Sequence, residues 1–236
     1  MTTTLHPSLS GARACVFDAG GTLVHPDWPR LAGLAEEFAG RRLSEEEMRR
    51  AFGEMLKCVN EPMPGGRVIN QAGRHWTFRA MYGGLGLDDA TCAALVGRID
   101  AAHAERHVWC GVDPEAARVV AGLKRAGLLV AVISNTEDGR LKDSLGAAGL
   151  ADAFDLTVDS HLVGFKKPDP AIFRLALEQL GVEAETAAFV GDSYAHDALA
   201  ARAVGMRAIL LDPLDLHPES VCPRIRSLGD LLPREV

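Results

Sequence analysis

The stretch CVFDAGGTLV, Cys15 to Val24, runs a short apolar segment into Asp18. A carboxylate in that place has a fixed direction and can act as a nucleophile. Gly20 and Gly21 behind it let the backbone approach a ligand closely, and Thr22 adds a hydroxyl. Two residues after Asp18, where a second carboxylate would complete an acid/base pair, stands Gly20. Further along, VISNT offers Ser134 and Asn135, a hydroxyl and an amide that can bond an oxyanion or, equally, cap the next helix. GFKKPDPAIF places Lys166 and Lys167 before a helix opened by Pro170, and its PDP segment would hold a cation in one direction. FVGDSYAHD ends in Asp192, with Asp197 five residues on. Carboxylates gathered this way repel one another unless a cation sits among them, and oxygen ligands select a hard ion such as Mg²⁺. A nucleophile, hydrogen-bond donors, a fixed cation and metal ligands are the parts that phosphoryl transfer requires.

These residues need elements that carry them to one place. Arg13 to Phe17 is too short for a helix and reads as a buried strand. After Asp113-Pro114 the pattern alternates: helix 114–126, strand LLVAVIS, helix 138–148, strand FDLTV, helix 169–180, strand AAFVG, helix 194–204, strand RAILL. Such alternation implies βαβ units and a doubly wound, Rossmann-like parallel sheet. Ligands bind such sheets beyond the carboxyl ends of the strands, where the strand order reverses. Asp18, Ser134, Asn135 and Asp192 all follow strands directly. Between Asp27 and His107 the texture is helical, and Ser44 three residues before Glu47 fits a capping box. The expectation is an α/β core of residues 1–24 and 108–236 with an inserted all-helical cap of residues 25–107. The tail after Asp212 reads as packing.

The chain has 236 residues, 47% hydrophobic and 24% charged, which are ordinary values for a folded globular protein. A formal charge of −7 disfavours nucleic acid or an anionic membrane as partner. Cys15, Cys58, Cys92, Cys110 and Cys222 are scattered without metal-binding spacing and read as reduced thiols of a cytoplasmic protein. The amino terminus lacks the pattern of a secretory signal, and no apolar run approaches a membrane span.

In this setting the sequence resembles the haloacid dehalogenase-like hydrolase superfamily, in its branch with a helical cap after the first motif. DAGGTL, SN, KKPDPAIF and GDSYAHD stand in the order of the four motifs, and the resemblance extends over residues 13 to 212. It implies that Asp18 attacks phosphorus to form an aspartyl-phosphate, while Thr22, Ser134, Asn135 and Lys167 bind the phosphoryl oxygens. Lys167 is preferred to Lys166 because it directly precedes Pro168. Mg²⁺ would be held by Asp18, the backbone carbonyl of Gly20 and Asp192, with Asp197 one layer further out. The implied substrate is a small phosphate ester, and the implied assembly a monomer or homodimer.

Phosphatases that this chain resembles usually carry a second Asp two residues after the nucleophile, which protonates the leaving oxygen. Gly20 departs from that. The backbone contact to the metal survives the change, whereas general acid catalysis worth ~10²–10⁴-fold, about 3–5 kcal/mol, is lost. One aspartate then suffices only for easy leaving groups, or another group serves, with His25 and Asp27 as the candidates. Relatives without the second Asp suggest alternatives. Dehalogenases carry Tyr there and work without metal; phosphonatases keep Mg²⁺ and form a Schiff base with a cap lysine, for which Lys57 is the only lysine between Val24 and Gly111. A binding module with a decayed site is a third reading, but it has no reason to retain Asp18, Ser134, Lys167, Asp192 and Asp197. Arg67, Arg74, His75 and Trp76 of the insert would set substrate choice.

Overall fold

The computed structural model describes residues 5–58 and 75–233. They form two compact units, Met1–His25 with Val112–Val236, and Pro26–Gly111. In the first, β1 (Ala14–Phe17), β4 (Leu129–Ser134), β5 (Leu156–Asp159), β6 (Ala187–Gly191), β7 (Arg207–Leu211) and β8 (Arg224–Ile225) make one sheet in the order β5-β4-β1-β6-β7-β8. Every pairing is parallel. The chain fills the sheet outward from β1 to β4 and β5, then returns to add β6, β7 and β8 on the other side. The reversal lies at β1, so its carboxyl end opens onto the crevice where ligands of such sheets sit.

Both faces of the sheet are covered, and the strand sequences show why. Cys15 and Phe17 point into one cluster with Val119, Val120 and Leu123 of α5 (Ala116–Arg125) and Leu141 and Leu145 of α6 (Leu141–Ala147). Ala14 and Val16 point into the other, with Ile172, Phe173 and Ala176 of α8 (Pro170–Leu180) and Ala200 and Ala201 of α9 (Ala200–Ala203). A strand apolar on both faces has no stable place except between two helical layers. Each fully buried Val, Ile or Phe contributes roughly 1.5–3 kcal/mol, so the sheet is a rigid base for the polar residues at its strand ends.

The second unit contains α1 (Trp28–Ala39), α2 (Glu45–Lys57), α3 (Trp76–Gly84) and α4 (Asp89–Glu105) around a core of its own. Ser44 and Glu47 form the reciprocal capping box at the start of α2. Val108 and Trp109 pack with this helical core, which is why the unit closes at Gly111, four residues past the 107 read from sequence. The ribbon β2 (Val24–His25) and β3 (Gly111–Val112) lies where the chain leaves and re-enters the sheet unit. Among the described residues, no helix is long and apolar enough to cross a membrane.

Three local expectations need correction. The tail contributes more than packing: Arg224 and Ile225 pair with Leu210 and Leu211 as a sixth strand, too short to show alternation in sequence. Helix 138–148 starts late, at Leu141, because residues 136–140 form a loop tied to the end of β5 and turned at the left-handed Gly139. Helix 194–204 divides into a wide π-type turn, Tyr194–Leu199, and the short α9.

Candidate active site

The carboxyl ends of β1, β4 and β6 bring the polar motifs together. Asp18 follows β1 directly, and its backbone N–H donates to the Val190 carbonyl of β6 at 2.8 Å, continuing the ladder. The side chain is almost fully buried. Lys167, also buried, donates through Nζ to Asp18 Oδ1 at 2.5 Å and to Asp197 Oδ1 at 2.7 Å, with its charge over the Phe189 ring. Lys166 beside it is exposed, so the geometry separates the two lysines that the sequence places side by side. Burial alone would lower the Lys167 pKa, but Asp18 and Asp197 more than offset that and hold it above its ordinary value. The ammonium stays charged.

Asp18, Asp192 and Asp197 offer carboxylate oxygens that all lie within 4.8 Å of one another. Burial, with Asp197 adding to it against the opposing pull of Lys167, lifts Asp18 to about 6. Burial and the same neighbouring carboxylates raise Asp192 well above its ordinary value. Two glycines allow this crowding. Gly21, in the left-handed region at φ 95°, lies so close to Asp192 that a Cβ there would fall 1.9 Å from Oδ2. A Cβ on Gly191 would meet Asp197 Oδ2 at 2.4 Å. Asp197 is further held by the Ser193 N–H on its Oδ2 at 3.0 Å.

The residues present fit a divalent cation. Three carboxylates face one ammonium, and Asp18 Oδ2 is buried with no hydrogen-bond partner. The bridge between Gly20 and Val24 uses the Gly21 N–H (2.7 Å to Val24 O) and the Ala19 carbonyl (2.9 Å from Val24 N), so Gly20's own carbonyl is outside it. An excess of hard oxygen donors with unmet charge is the coordination that Mg²⁺ takes.

A family model for haloacid dehalogenase-like hydrolases matches residues 12–205. The chain belongs to that family. Among its relatives, the haloacid dehalogenase-like hydrolase domain-containing protein 3 of Mus musculus is 44% identical over 118 residues, 48% of this chain and 47% of that protein. The chain thus spans about half the length of that curated relative. A phosphoglycolate phosphatase of Rhodospirillum rubrum is 30% identical over 233 residues, covering 93% of this chain and 90% of that one. A dehalogenase solved with an intermediate complex shares the fold at TM-score 0.63 and 23% identity, over 94% of this chain and 96% of its own.

Other residues named from sequence sit differently in this chain. Thr22 is buried with its hydroxyl unpartnered, and Ser134 is buried at the end of β4. The Asn135 side chain is bound to backbone. Its Nδ2 donates to the Lys167 carbonyl and its Oδ1 accepts from the Lys167 N–H, each at 2.8 Å. Asn135 therefore fixes the backbone that carries the lysine. Asp27, in the helical unit, accepts from the Arg30 N–H as the cap of α1 and pairs with Arg106 at 2.5 Å. Both of its oxygens are thus engaged within the helical unit. His25 lies in the sheet unit with Nε2 3.8 Å from Asp113 Oδ2. Lys57 is exposed in the last turn of α2, His75 is buried, Trp76 begins α3, and Arg67 and Arg74 lie outside the described residues.

Sequence reasoning missed the supports. Asp159, buried at the end of β5, accepts from the Thr136 hydroxyl, from the Leu141 N–H at 3.1 Å and from the His161 N–H at 3.0 Å. Ser160 Oγ accepts from the Thr136 N–H at 3.0 Å. Together they anchor the loop that follows Ser134. The signal was present in Asp159-Ser160 at a strand end, where such residues take orphan N–H groups.

Proposed function

We propose that this hydrolase is a Mg²⁺-dependent phosphomonoesterase acting on a small phosphate ester through a phosphorylated Asp18, as a monomer or homodimer in the cytoplasm. The observation that carries the reading is the state of Asp18: one oxygen is locked to Lys167, and the other is buried, unbonded and beside two further carboxylates. Asp18, the Gly20 carbonyl and Asp192 would hold the cation, with Asp197 behind them. When bound, it neutralises the clustered acids and the negative charge of the transferring group.

Lys167 orients Asp18 and presents a positive charge next to the attacked phosphorus. A carboxylate oxygen of Asp18 bonds to phosphorus as the bond to the leaving oxygen breaks, and water then attacks the same phosphorus to regenerate the carboxylate. Thr22, Ser134 and the backbone N–H of Asn135 are donors for the phosphoryl oxygens. The balance of charge favours this over haloacid displacement, because a metal-free site with three carboxylates and one lysine would repel a carboxylate substrate. The phosphoglycolate phosphatase relative, matched over 93% of the chain, points the same way. All five cysteines are thiols, which suits a reducing compartment.

The test is a screen of phosphate esters, phosphonates and 2-haloacids with and without Mg²⁺, run beside Asp18→Asn. Mg²⁺-dependent phosphate release that vanishes in the variant is the expected result. Metal-independent halide release, or phosphonate cleavage with borohydride trapping at Lys57, would replace the reading.

A further inference from the structure

Expelling an alkoxide from phosphorus requires a proton at the leaving oxygen, and attack by water requires one to be taken away. In the cluster around Asp18, Lys167 is held by two carboxylates, Asp197 is held by Lys167 and the Ser193 N–H, and Asp18 and Asp192 are the carboxylates that would hold the cation. One other paired titratable group lies on the motif loop. The turn 19–24 closes on itself through Gly21 N to Val24 O (2.7 Å), with Gly20 bridged to Val24, and His25 is the next residue. Adjacent Cα atoms are about 3.8 Å apart and bridged ones about 5 Å, so the His25 Cα starts within about 9 Å of that of Gly20.

The His25 partner is itself fixed. The Asp113 N–H donates to the Leu23 carbonyl at 3.0 Å, and its Oδ1 accepts from the Glu115 N–H at 2.9 Å. Its remaining oxygen, Oδ2, faces His25 Nε2 at 3.8 Å, and both side chains are partly accessible, at 21% and 19%. A carboxylate anchored on one side and directed at an imidazole on the other is the arrangement that orients a general acid/base.

Resting on the phosphomonoesterase reading, we propose that His25 is the proton donor and acceptor of the reaction and that Asp113 is its positioning residue. Asp113 takes the Nε2 side and leaves Nδ1 for the substrate. In the first half, Asp18 bonds to phosphorus, the leaving oxygen departs with the electron pair and takes the Nδ1 proton of the imidazolium. The products are an alcohol, the aspartyl-phosphate and neutral imidazole. In the second half, Nδ1 removes a proton from the attacking water, the bond from phosphorus to Asp18 breaks, and phosphate, carboxylate and imidazolium are restored.

The experiment compares kcat for p-nitrophenyl phosphate and a primary alkyl phosphate in wild type, His25→Gln, His25→Asn, Asp113→Asn and Asp113→Glu, all with Mg²⁺. Wild type should turn over the two esters within roughly tenfold of each other. Either His25 variant should lose about a hundredfold or more on the alkyl ester and far less on the aryl ester, whose leaving group needs no proton. Asp113→Asn should lower alkyl kcat about tenfold with KM little changed, and Asp113→Glu should recover part of it. A loss equal for both esters in whichever His25 variant folds, or no loss, overturns the assignment while leaving Asp18 chemistry in place. A wild type inert towards every ester, with intact Mg²⁺ binding, removes the phosphomonoesterase reading and this proposal with it.

Discussion

Two buried aspartates follow strands of the same sheet, Asp18 after β1 and Asp212 after β7, and each is paired with a cation. Asp212 is fully served: its Oδ1 accepts from the Leu216 N–H at 2.8 Å, and its Oδ2 from the His217 N–H at 3.0 Å and from Arg224 at 2.9 Å. Burial would raise its pKa, but those hydrogen bonds outweigh burial and hold it below the ordinary carboxylate value. Asp18 has one partner, Lys167, shared with Asp197, and an Oδ2 with none. Its pKa goes the opposite way, to about 6. The fold thus contains a carboxylate stabilised as a strut and another kept unsatisfied, and only the second has an interaction left to offer a ligand.

The sharpest way to break this contrast is Asp18→Asn. The amide is a poor nucleophile, so turnover of phosphate esters should fall by at least roughly a thousandfold, about 4 kcal/mol. The folded protein should meanwhile be no less stable without metal, because a repelled charge has been removed. Residual activity near wild type would move the chemistry elsewhere. Next in size is Asp192→Asn, which should reduce activity by about a hundredfold and raise the Mg²⁺ concentration for half-maximal rate. Chelation of the wild type should do the same reversibly. Full activity in chelator would mean that the clustered acids serve no cation.

The outline of this contrast could be read from the sequence because βαβ periodicity assigns residues to strand ends without knowing any contact. Asp18 and Asp192 are legible that way, Lys167 and Asp197 from the motifs KKPDPAIF and GDSYAHD that adjoin the strand ends, and the four lie together. What stayed hidden depends on distant partners. Asn135 has the same local signature whether its amide faces a ligand or the Lys167 backbone 32 residues away, and the structure chooses the backbone. Asp27 looked available only because Arg106, 79 residues on, gives no sign of pairing with it. Asp212 sat in a tail with no period, since the strand that brings Arg224 to it has only two residues.

A third test uses stability. A carboxyl whose folded pKa is raised favours the folded state fully below its ordinary pKa, and that contribution is lost as pH rises through the folded value. For Asp18 the window runs from its ordinary 3.8 to about 6. Across it, the metal-free wild type should lose on the order of 2–3 kcal/mol relative to Asp18→Asn. Mg²⁺ should restore that stability above pH 6 and do little near pH 4, where protons already occupy the site. Thermal midpoints of both proteins between pH 4 and 8, with and without Mg²⁺, measure this directly. Parallel curves for the two proteins would show that Asp18 is not strained in the metal-free protein.

The smallest effect belongs to the strut, and its sign is opposite. In Asp212→Asn one side-chain oxygen remains to accept either the Leu216 or the His217 N–H, while the new NH₂ group meets the other N–H as donor against donor. Arg224 loses its charge partner there but keeps Asp215, with which it is also paired. One unsatisfied backbone donor and a weakened ion pair cost about 1–2 kcal/mol. For a domain of this size that is a fall of a few degrees in the thermal midpoint. The Mg²⁺ response should be unchanged, because no cation is needed to relieve Asp212, and the loss should grow towards neutral pH, where the wild-type carboxylate is ionised and its lowered pKa is worth most. Should Asp212→Asn instead stabilise the metal-free protein, as Asp18→Asn is expected to do, hydrogen bonding would not be what distinguishes the two carboxylates, and the unsatisfied oxygen of Asp18 would lose its meaning as the mark of the reacting group.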